Sequence, residues 1–459
     1  MEINRSRRPQ PRGKISFSLP EVEEFSLVNG LQVLYVRKTN LPVMQFTIVS
    51  DAGSRMDPFE KKGISNLLSA LLDEGAGGLD SLQLSDAFES IGASLSVFSD
   101  PDSFFVSMLT LTENLDTALD LLSKVVAKPH LDETDFEREK RKIKTRVLQL
   151  KDDASYLSTV VFEEIVFGRT NPYGLTDTGT IETIDRIELQ DVKTFYNTLF
   201  TASNSRLIIV GDTEKEIIRE KLNNYFSGWH DYIPPVFEMT IPESSSSRIY
   251  IVDKPDAAQC EIRLGHISTG RNTPGFYART VMNNILGGQF SSRININLRE
   301  DKGYTYGASS SFSYNRVCGY FAAGAAVKTE ETSNAVIEII RELNGIREYV
   351  TEKELRFAKS SIIRKFPSLF ETYSQIGRNL ANRVIHNLPD TYFNDYIDNI
   401  KSVTLEDVYE AAKSNIFPDR LAILAVGDKS KILPGLERLG IGTVTELDTD
   451  GNNVSRLEP

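Results

Sequence analysis

Arg299 and Tyr306 stand seven residues apart on either side of Gly303, the first near the end of a helical run and the second on a strand-like one. A guanidinium fork and a phenol are both hydrogen-bond donors, able to hold an oxygen-rich group. Taken alone, the two also have an ordinary structural meaning: a cation complementing a helix C-terminus, and a half-buried strand tyrosine. Other chemical candidates carry less. Asp73-Glu74 could do acid and base work, but it lies just before Gly75, where a solvated helix end is expected. Gly287-Gly288 lacks the strand and lysine of a phosphate loop and reads as a helix-ending turn. Basic residues crowd Arg138 to Arg146, yet Glu137 and Glu139 interleave, as on a solvated helix face. His130, His230, His266 and His386 occur singly, none at metal-ligand spacing from another, and read as surface or structural histidines. No nucleophile elbow or Cys-His pairing marks a serine or cysteine hydrolase.

The elements that must position these residues come in two copies. Val210-Gly211-Asp212 recurs as Val426-Gly427-Asp428, and the same offset of 216 residues lays Ile400, Val403, Leu405, Asp407 and Val408 over Ile184, Ile187, Leu189, Asp191 and Val192. It also lays Val252 and Lys254 over Val36 and Lys38. One ungapped offset through separated segments argues for a duplicated domain. Between the copies, Gly228 to Arg248 holds Pro234-Pro235, Pro242 and the serine run Ser244 to Ser247, a linker composition. Each half opens with alternating apolar segments, Leu31 to Val36 and Val43 to Val49, then Ile249 to Val252 and Ile262 to Ile267, which predict half-buried strands. Ile64, Leu67, Leu68, Leu71 and Leu72 follow the period of an amphipathic helix, as do Leu115 to Val126 and Phe136 to Leu150. Ser94 to Ser99 with Phe104 to Leu111, and Tyr304 to Phe312 with Tyr320 to Val327, predict hairpins. The fold class expected is α+β: two homologous domains, each an antiparallel-rich sheet packed with helices.

Composition sets outer bounds. At 459 residues the chain exceeds the about 100 to 200 of a usual domain, and its 40% hydrophobic and 25% charged content suits full-sized cores. A net charge of -12 opposes a general role on nucleic acid or anionic membrane. Cys260 and Cys318 are too few for a disulfide framework or a four-thiolate zinc site. Met1 to Lys14 is basic and Pro-containing, without an apolar core, and no apolar run of about 18 residues occurs. The expectation is a soluble, cytoplasmic protein, or a periplasmic one if a signal was removed. The arginine-rich start also has the look of an organellar transit peptide, against which Glu2, the prolines and the shortness count.

Two stretches resemble the insulinase/pitrilysin family of inverzincin zinc metallopeptidases, in particular its half-length branch, which includes mitochondrial processing peptidase and bacterial heterodimeric zinc peptidases. The stronger runs Ile285-Leu286-Gly287-Gly288-Gln289-Phe290-Ser291-Ser292-Arg293, then Leu298-Arg299-Glu300-Asp301-Lys302-Gly303-Tyr304-Thr305-Tyr306-Gly307. The other comprises Asn29-Gly30-Leu31, Asp51-Ala52-Gly53-Ser54-Arg55, Leu71-Leu72-Asp73-Glu74-Gly75, Asn171-Pro172-Tyr173-Gly174 and Val210-Gly211-Asp212, in family order. The resemblance implies a processing-peptidase-like fold: residues 1–18 a disordered start, 19–227 an N-terminal peptidase-like domain, 228–248 a linker, 249–440 a C-terminal domain with the Arg/Tyr pair, and 441–459 a tail.

Family members bind catalytic zinc through H-x-x-E-H on a helix, with a further glutamate on a following helix. Aligned through Gly63, those five positions are Asn66, Leu67, Leu68, Ser69 and Ala70, and the further ligand falls on Arg146, two helical turns past Glu139 and therefore expected on the same face. The metal-site positions are therefore degenerate, and no metal or cofactor is expected in this chain. Arg299 and Tyr306 match the family's Arg/Tyr pair, which holds substrate beside the metal and steadies the developing oxyanion, as the resemblance implies. The implied function is a non-catalytic, substrate-binding subunit of a heterodimeric zinc metallopeptidase, inactive alone, completing the active site of a homologous partner that carries zinc. Unfolded peptides would be the substrates. The alternative is a scaffold or peptide-binding subunit without a peptidase role.

Overall fold

The computed structural model describes residues 17–242 and 247–454. The expectation of a disordered start concerns mainly residues outside this range, as does most of the serine run. In the first half, alternating apolar residues form β1 (Val22–Ser26), β2 (Gln32–Arg37) and β3 (Val43–Ser50), followed by the short pair β4 (Gly75–Ala76) and β5 (Leu79–Asp80). The expected hairpin follows as β6 (Ser94–Ser99) and β7 (Phe104–Leu111), and β8 (Ser205–Gly211) completes the sheet, in the order β1-β2-β8-β3-β7-β6. Helices α1 (Ile64–Leu71), α2 (Ser81–Ser90), α3 (Leu115–Ala127), α4 (Glu133–Leu150), α5 (Ala154–Phe167), α6 (Ile181–Asp185), α7 (Leu189–Leu199) and α8 (Lys215–Phe226) complete this half. Their apolar stripes close one core with the sheet, including Leu67, Leu68, Leu71, Leu119, Leu122, Phe136 and Phe195.

The second half repeats the plan. β9 (Arg248–Asp253) is β2 displaced by 216 residues, and β10 (Gln259–Thr269) starts at the same displacement from β3. β11 (Thr305–Tyr314) and β12 (Cys318–Lys328) form the second expected hairpin, and β13 (Ala422–Gly427) runs parallel to β9 as β8 does to β2. The order β11-β12-β10-β13-β9-β14 mirrors the first sheet, except that its last strand, β14 (Val444–Leu447), lies within the segment read as a tail and pairs parallel rather than antiparallel. Helices α9 (Phe276–Leu286), α10 (Arg293–Asn295), α11 (Thr332–Glu348), α12 (Glu352–Lys365) and α13 (Tyr373–Ile385) are followed by three more.

The halves exchange helices. α5 lies against β10 and β13 of the second sheet, and its counterpart α13 lies against β3 and β8 of the first. Leu157, Val161 and Phe162 of α5 share a core with Val252, Tyr320, Leu424 and Val426, while Tyr373, Ile376 and Leu380 of α13 share one with Leu34, Val49, Ile208 and Val210. Each sheet therefore has one face covered by its own helices and the other by a helix of the other half. The connection is shorter than its composition suggested: Trp229 is buried in the first core, donating Nε1–H to the Phe200 carbonyl at 3.2 Å, and Arg248 already pairs in β9.

Candidate functional site

The helix that would carry a metal motif is α1. Its first amides are satisfied by the buried Asp57 carboxylate, which accepts from Gly63 N–H at 2.9 Å and Ser65 N–H at 3.1 Å. Gly63 takes φ +106, and a Cβ there would lie 2.8 Å from the Thr178 carbonyl oxygen, so glycine is required. Asn66 and Ala70 share one face, and the Ser69 hydroxyl donates to the Asn66 carbonyl at 2.7 Å. On α4, Glu139 belongs to the buried stripe with Phe136, Ile143 and Val147, whereas Arg146 is exposed and unpaired among the described residues. Glu139 accepts from Lys142 Nζ at 2.6 Å and Arg138 Nε at 3.0 Å; against the cost of burial, these hydrogen bonds hold its carboxyl below the usual range. Arg138 also pairs with Glu74. An amide, a hydroxyl, a methyl and a guanidinium at Asn66, Ser69, Ala70 and Arg146 do not fit zinc, which needs imidazole or deprotonated donors. Among the described residues no group of three His, Cys, Asp or Glu is placed to hold a metal ion.

The Arg299–Tyr306 region is built more firmly. Helix α9 ends at Gly287, where a Cβ would meet the Ser310 amide at 2.3 Å; only glycine lets β11 pass so close. Asn283 fixes this crossing, donating to the Ser310 carbonyl at 3.0 Å and accepting from its hydroxyl at 2.7 Å. The chain turns through Phe290, re-enters helix at α10 and winds as a π-helix over Ile296–Asp301, a rare form that recurs at functional sites. Asn295, 3% exposed, donates to the Phe290 carbonyl at 2.6 Å and accepts from the Ala308 amide at 2.9 Å. One buried side chain thus ties the glycine turn, the π-helix and the bulge in β11 that falls between Thr305 and Ala308.

On this frame the Arg299 guanidinium lies over the Phe290 ring at 4.3 Å. Its Nη1 is shielded without a hydrogen-bond acceptor, the Glu300 carboxylate being 3.6 Å away. Tyr306 is 91% exposed and Phe290 69%. Both aromatics stand out from a segment whose backbone is pinned, so their exposure is not that of a frayed loop.

Other motif residues serve the junction between halves. Gly53 lets the Asp100–Ser103 tip of the β6–β7 hairpin pack on it, since a Cβ would lie 2.3 Å from Ser103 N. Arg55, 4% exposed, pairs with Asp51 and, through Nε, with Asp102 at 3.2 Å. Asp102 also accepts from the Tyr173 hydroxyl at 2.5 Å and the Arg316 amide of the second half at 2.7 Å. Asp102, Arg316 and Asn295 carry no local motif that marks them in the sequence. Three histidines have structural partners: Nε2 of His130 accepts from Gly78 N–H at 3.1 Å, His230 bonds the Asn197 carbonyl at 2.8 Å, and His266 bonds the Ile267 carbonyl at 2.8 Å.

Comparison with known proteins assigns this architecture. The family described as insulinase (peptidase family M16) matches residues 32–168, and the peptidase M16 inactive domain matches residues 186–362. The chain belongs to the M16 insulinase family, as a member without the zinc motif. It is 24% identical over 407 residues to the non-peptidase homolog YmxG of Helicobacter pylori, covering 87% of this chain and 92% of that protein. It is 21% identical to an uncharacterized zinc protease YmxG of Bacillus subtilis, covering 88% and 98%. The crystal structure of a peptidase M16 inactive domain from Pseudomonas fluorescens has the same fold, with a TM-score of 0.83 and 24% identity over 89% of this chain and 98% of that one.

Proposed function

We propose that this chain is the non-catalytic, substrate-binding subunit of a heterodimeric zinc metallopeptidase, supplying Arg299 and Tyr306 to the active site of a homologous zinc-bearing partner. The observation that carries this reading is the contrast between the two halves. The positions aligned with the metal ligands on α1 and α4 carry no metal donor, while Arg299 and Tyr306 stand on a buried hydrogen-bonded frame, with Tyr306 exposed and Arg299 ion-paired, among the described residues, only with the Glu300 carboxylate at 3.6 Å. Two donors so held could steady the oxyanion of a peptide carbonyl attacked by a water on the partner's metal.

Unfolded peptides are the substrates this reading favours, bound by strand addition. The outer strands β6 and β11 carry no charge and no proline, whereas the opposite edges bear Glu23 and Glu24 on β1 and Glu446 on β14, each ion-paired. Uncharged edges are the ones open to a further strand. The net charge of -12 suits basic peptides.

Arg299→Ala and Tyr306→Phe, assayed with the zinc-bearing homologue, should each abolish turnover while leaving the pair associated on size exclusion. Unchanged turnover would overturn the proposal. It would favour a scaffold or peptide-binding subunit instead, a reading toward which the non-peptidase name of the Helicobacter relative points.

A further inference from the structure

A cavity of about 560 Å³ lies between the first sheet and the C-terminal end of α13, and neither Arg299 nor Tyr306 lines it. Its walls carry Arg206 from β8, Arg316 from the turn between β11 and β12, and Arg383 and His386 from the end of α13. The carboxylates on the same walls are already engaged. Glu24 and Asp390 pair with Arg383 at 2.8 and 3.0 Å, and Asp51 is held by buried Arg55. Arg316 reaches Asp51 only at 3.5 Å, through Nη1, and its Nε is shielded without an acceptor. Arg206 has no ion-pair partner among the described residues; Nη1 donates to the Ser205 carbonyl at 3.0 Å. Nδ1 of His386 is shielded and unpartnered as well.

Two guanidinium groups near one another in a partly enclosed space, without a tightly bound carboxylate, are an arrangement that protein interiors disfavour. Arg206 and Arg316 keep donors that no nearby carboxylate engages closely, so a ligand that fits them would be acceptor-rich and negatively charged. Guanidinium forks match the oxygens of carboxylates and phosphates. We propose that this cavity binds an oxyanion of the carboxylate or phosphate type, gripped by Arg206 and Arg316 with His386 beside it. The site is independent of the Arg299–Tyr306 reading and would operate in the chain by itself. The space exceeds a single oxyanion, so a larger body such as a peptide ending in a free carboxylate can enter with it.

His386 reports occupancy. Burial first, then the nearby Arg271 and Arg316 cations, push its imidazole down to about 4, and an anion between them would counter that field. The test is an NMR titration of the His386 ring in the isolated chain with millimolar inorganic phosphate, a short peptide with a free C-terminus, or the same peptide as its C-terminal amide. The expected result is a rise of about one pKa unit with phosphate, the free-acid peptide or both, and none with the amide. Response to both marks a general oxyanion site; response to the free-acid peptide alone marks a site for a chain terminus. Arg206→Gln should weaken the effective probe about 10-fold or more while His386 still titrates, which certifies the fold. No movement with any probe, equal response to the amide, or an unchanged response in Arg206→Gln would overturn the proposal.

Discussion

Asn295 accepts a hydrogen bond from the Ala308 amide at 2.9 Å, and through it the π-helix that carries Arg299 is locked to the strand that carries Tyr306. The same side chain donates to the Phe290 carbonyl, beneath the ring on which Arg299 rests. The donor pair is thus positioned by a residue that touches neither donor.

Asn295→Ala should leave the Ala308 amide buried without an acceptor, at a cost of about 1–3 kcal/mol. Urea unfolding would measure it. In the assembled pair, turnover should fall with little change in KM, and Asn295→Asp, which keeps the acceptor, should recover part of it. A variant that loses stability but keeps full turnover would show that the clamp only supports the fold.

A second expectation concerns pH. Burial, reinforced by Asp177, raises the Glu163 carboxyl of α5 to about 7, while Tyr320 of the second sheet donates to it at 3.0 Å. The unfolded chain holds this proton only below about 4.3, so between those values the folded state binds more protons and this group's contribution falls as pH rises. His386, pushed down to about 4, acts in the opposite sense over part of that window, so the comparison must be made by difference. Relative to Glu163→Gln, the wild-type chain should gain stability as pH falls from 7.5 to about 4.5. Urea midpoints for both proteins across that range test it; a constant difference would refute the shift.

The exchange of α5 and α13 makes each half depend on the other. A chain ending at residue 242 keeps α5 but loses the sheet it covers, and exposes Leu34, Val49, Ile208 and Val210, which α13 shields. Expressed alone, this half should aggregate or bind a hydrophobic dye; co-expressed with residues 243–459, it should be recovered as a soluble complex. A monomeric, cooperatively folding first half would contradict the reciprocal packing.

Restoring the metal donors tests whether the degenerate positions are correctly placed. Asn66→His, Ser69→Glu, Ala70→His and Arg146→Glu together should confer roughly one zinc per chain, measured by metal analysis after dialysis, where the unaltered chain takes up none. Failure of a well-folded quadruple variant to bind zinc would mean that Arg146, which faces solvent here, is not the equivalent of the family's ligand.

Much of this could be read beforehand, for physical reasons. Strand alternation and helix period are local, so the hairpin Ser94–Ser99 with Phe104–Leu111 has the bounds expected, and the 216-residue offset carries β2 onto β9 without a gap. That Asn66, Ser69, Ala70 and Arg146 offer neither imidazole nor carboxylate is legible because it is a matter of residue type. What escaped is non-local. Nothing in the apolar pattern of α5 says that it buries against the other half's sheet rather than its own. Asp102, Arg316 and Asn295 are common polar residues whose meaning comes from partners distant in sequence, such as the 214 residues between Asp102 and Arg316. The relation of Glu139 to Arg146 was legible only in part: the helical period puts them near one stripe, but the stripe continues through Ile143 and Val147, leaving Arg146 outside.

The most direct test of the central claim is cleavage of a quenched-fluorescent peptide library by this chain with zinc, alone and then titrated into a fixed amount of a zinc-bearing M16 homologue from the same organism. The account predicts no cleavage by the chain alone and activity in the mixture that saturates at an equimolar ratio. Cleavage by the chain alone would contradict the degenerate metal site, and a mixture no more active than the homologue by itself would contradict the complementary-subunit role.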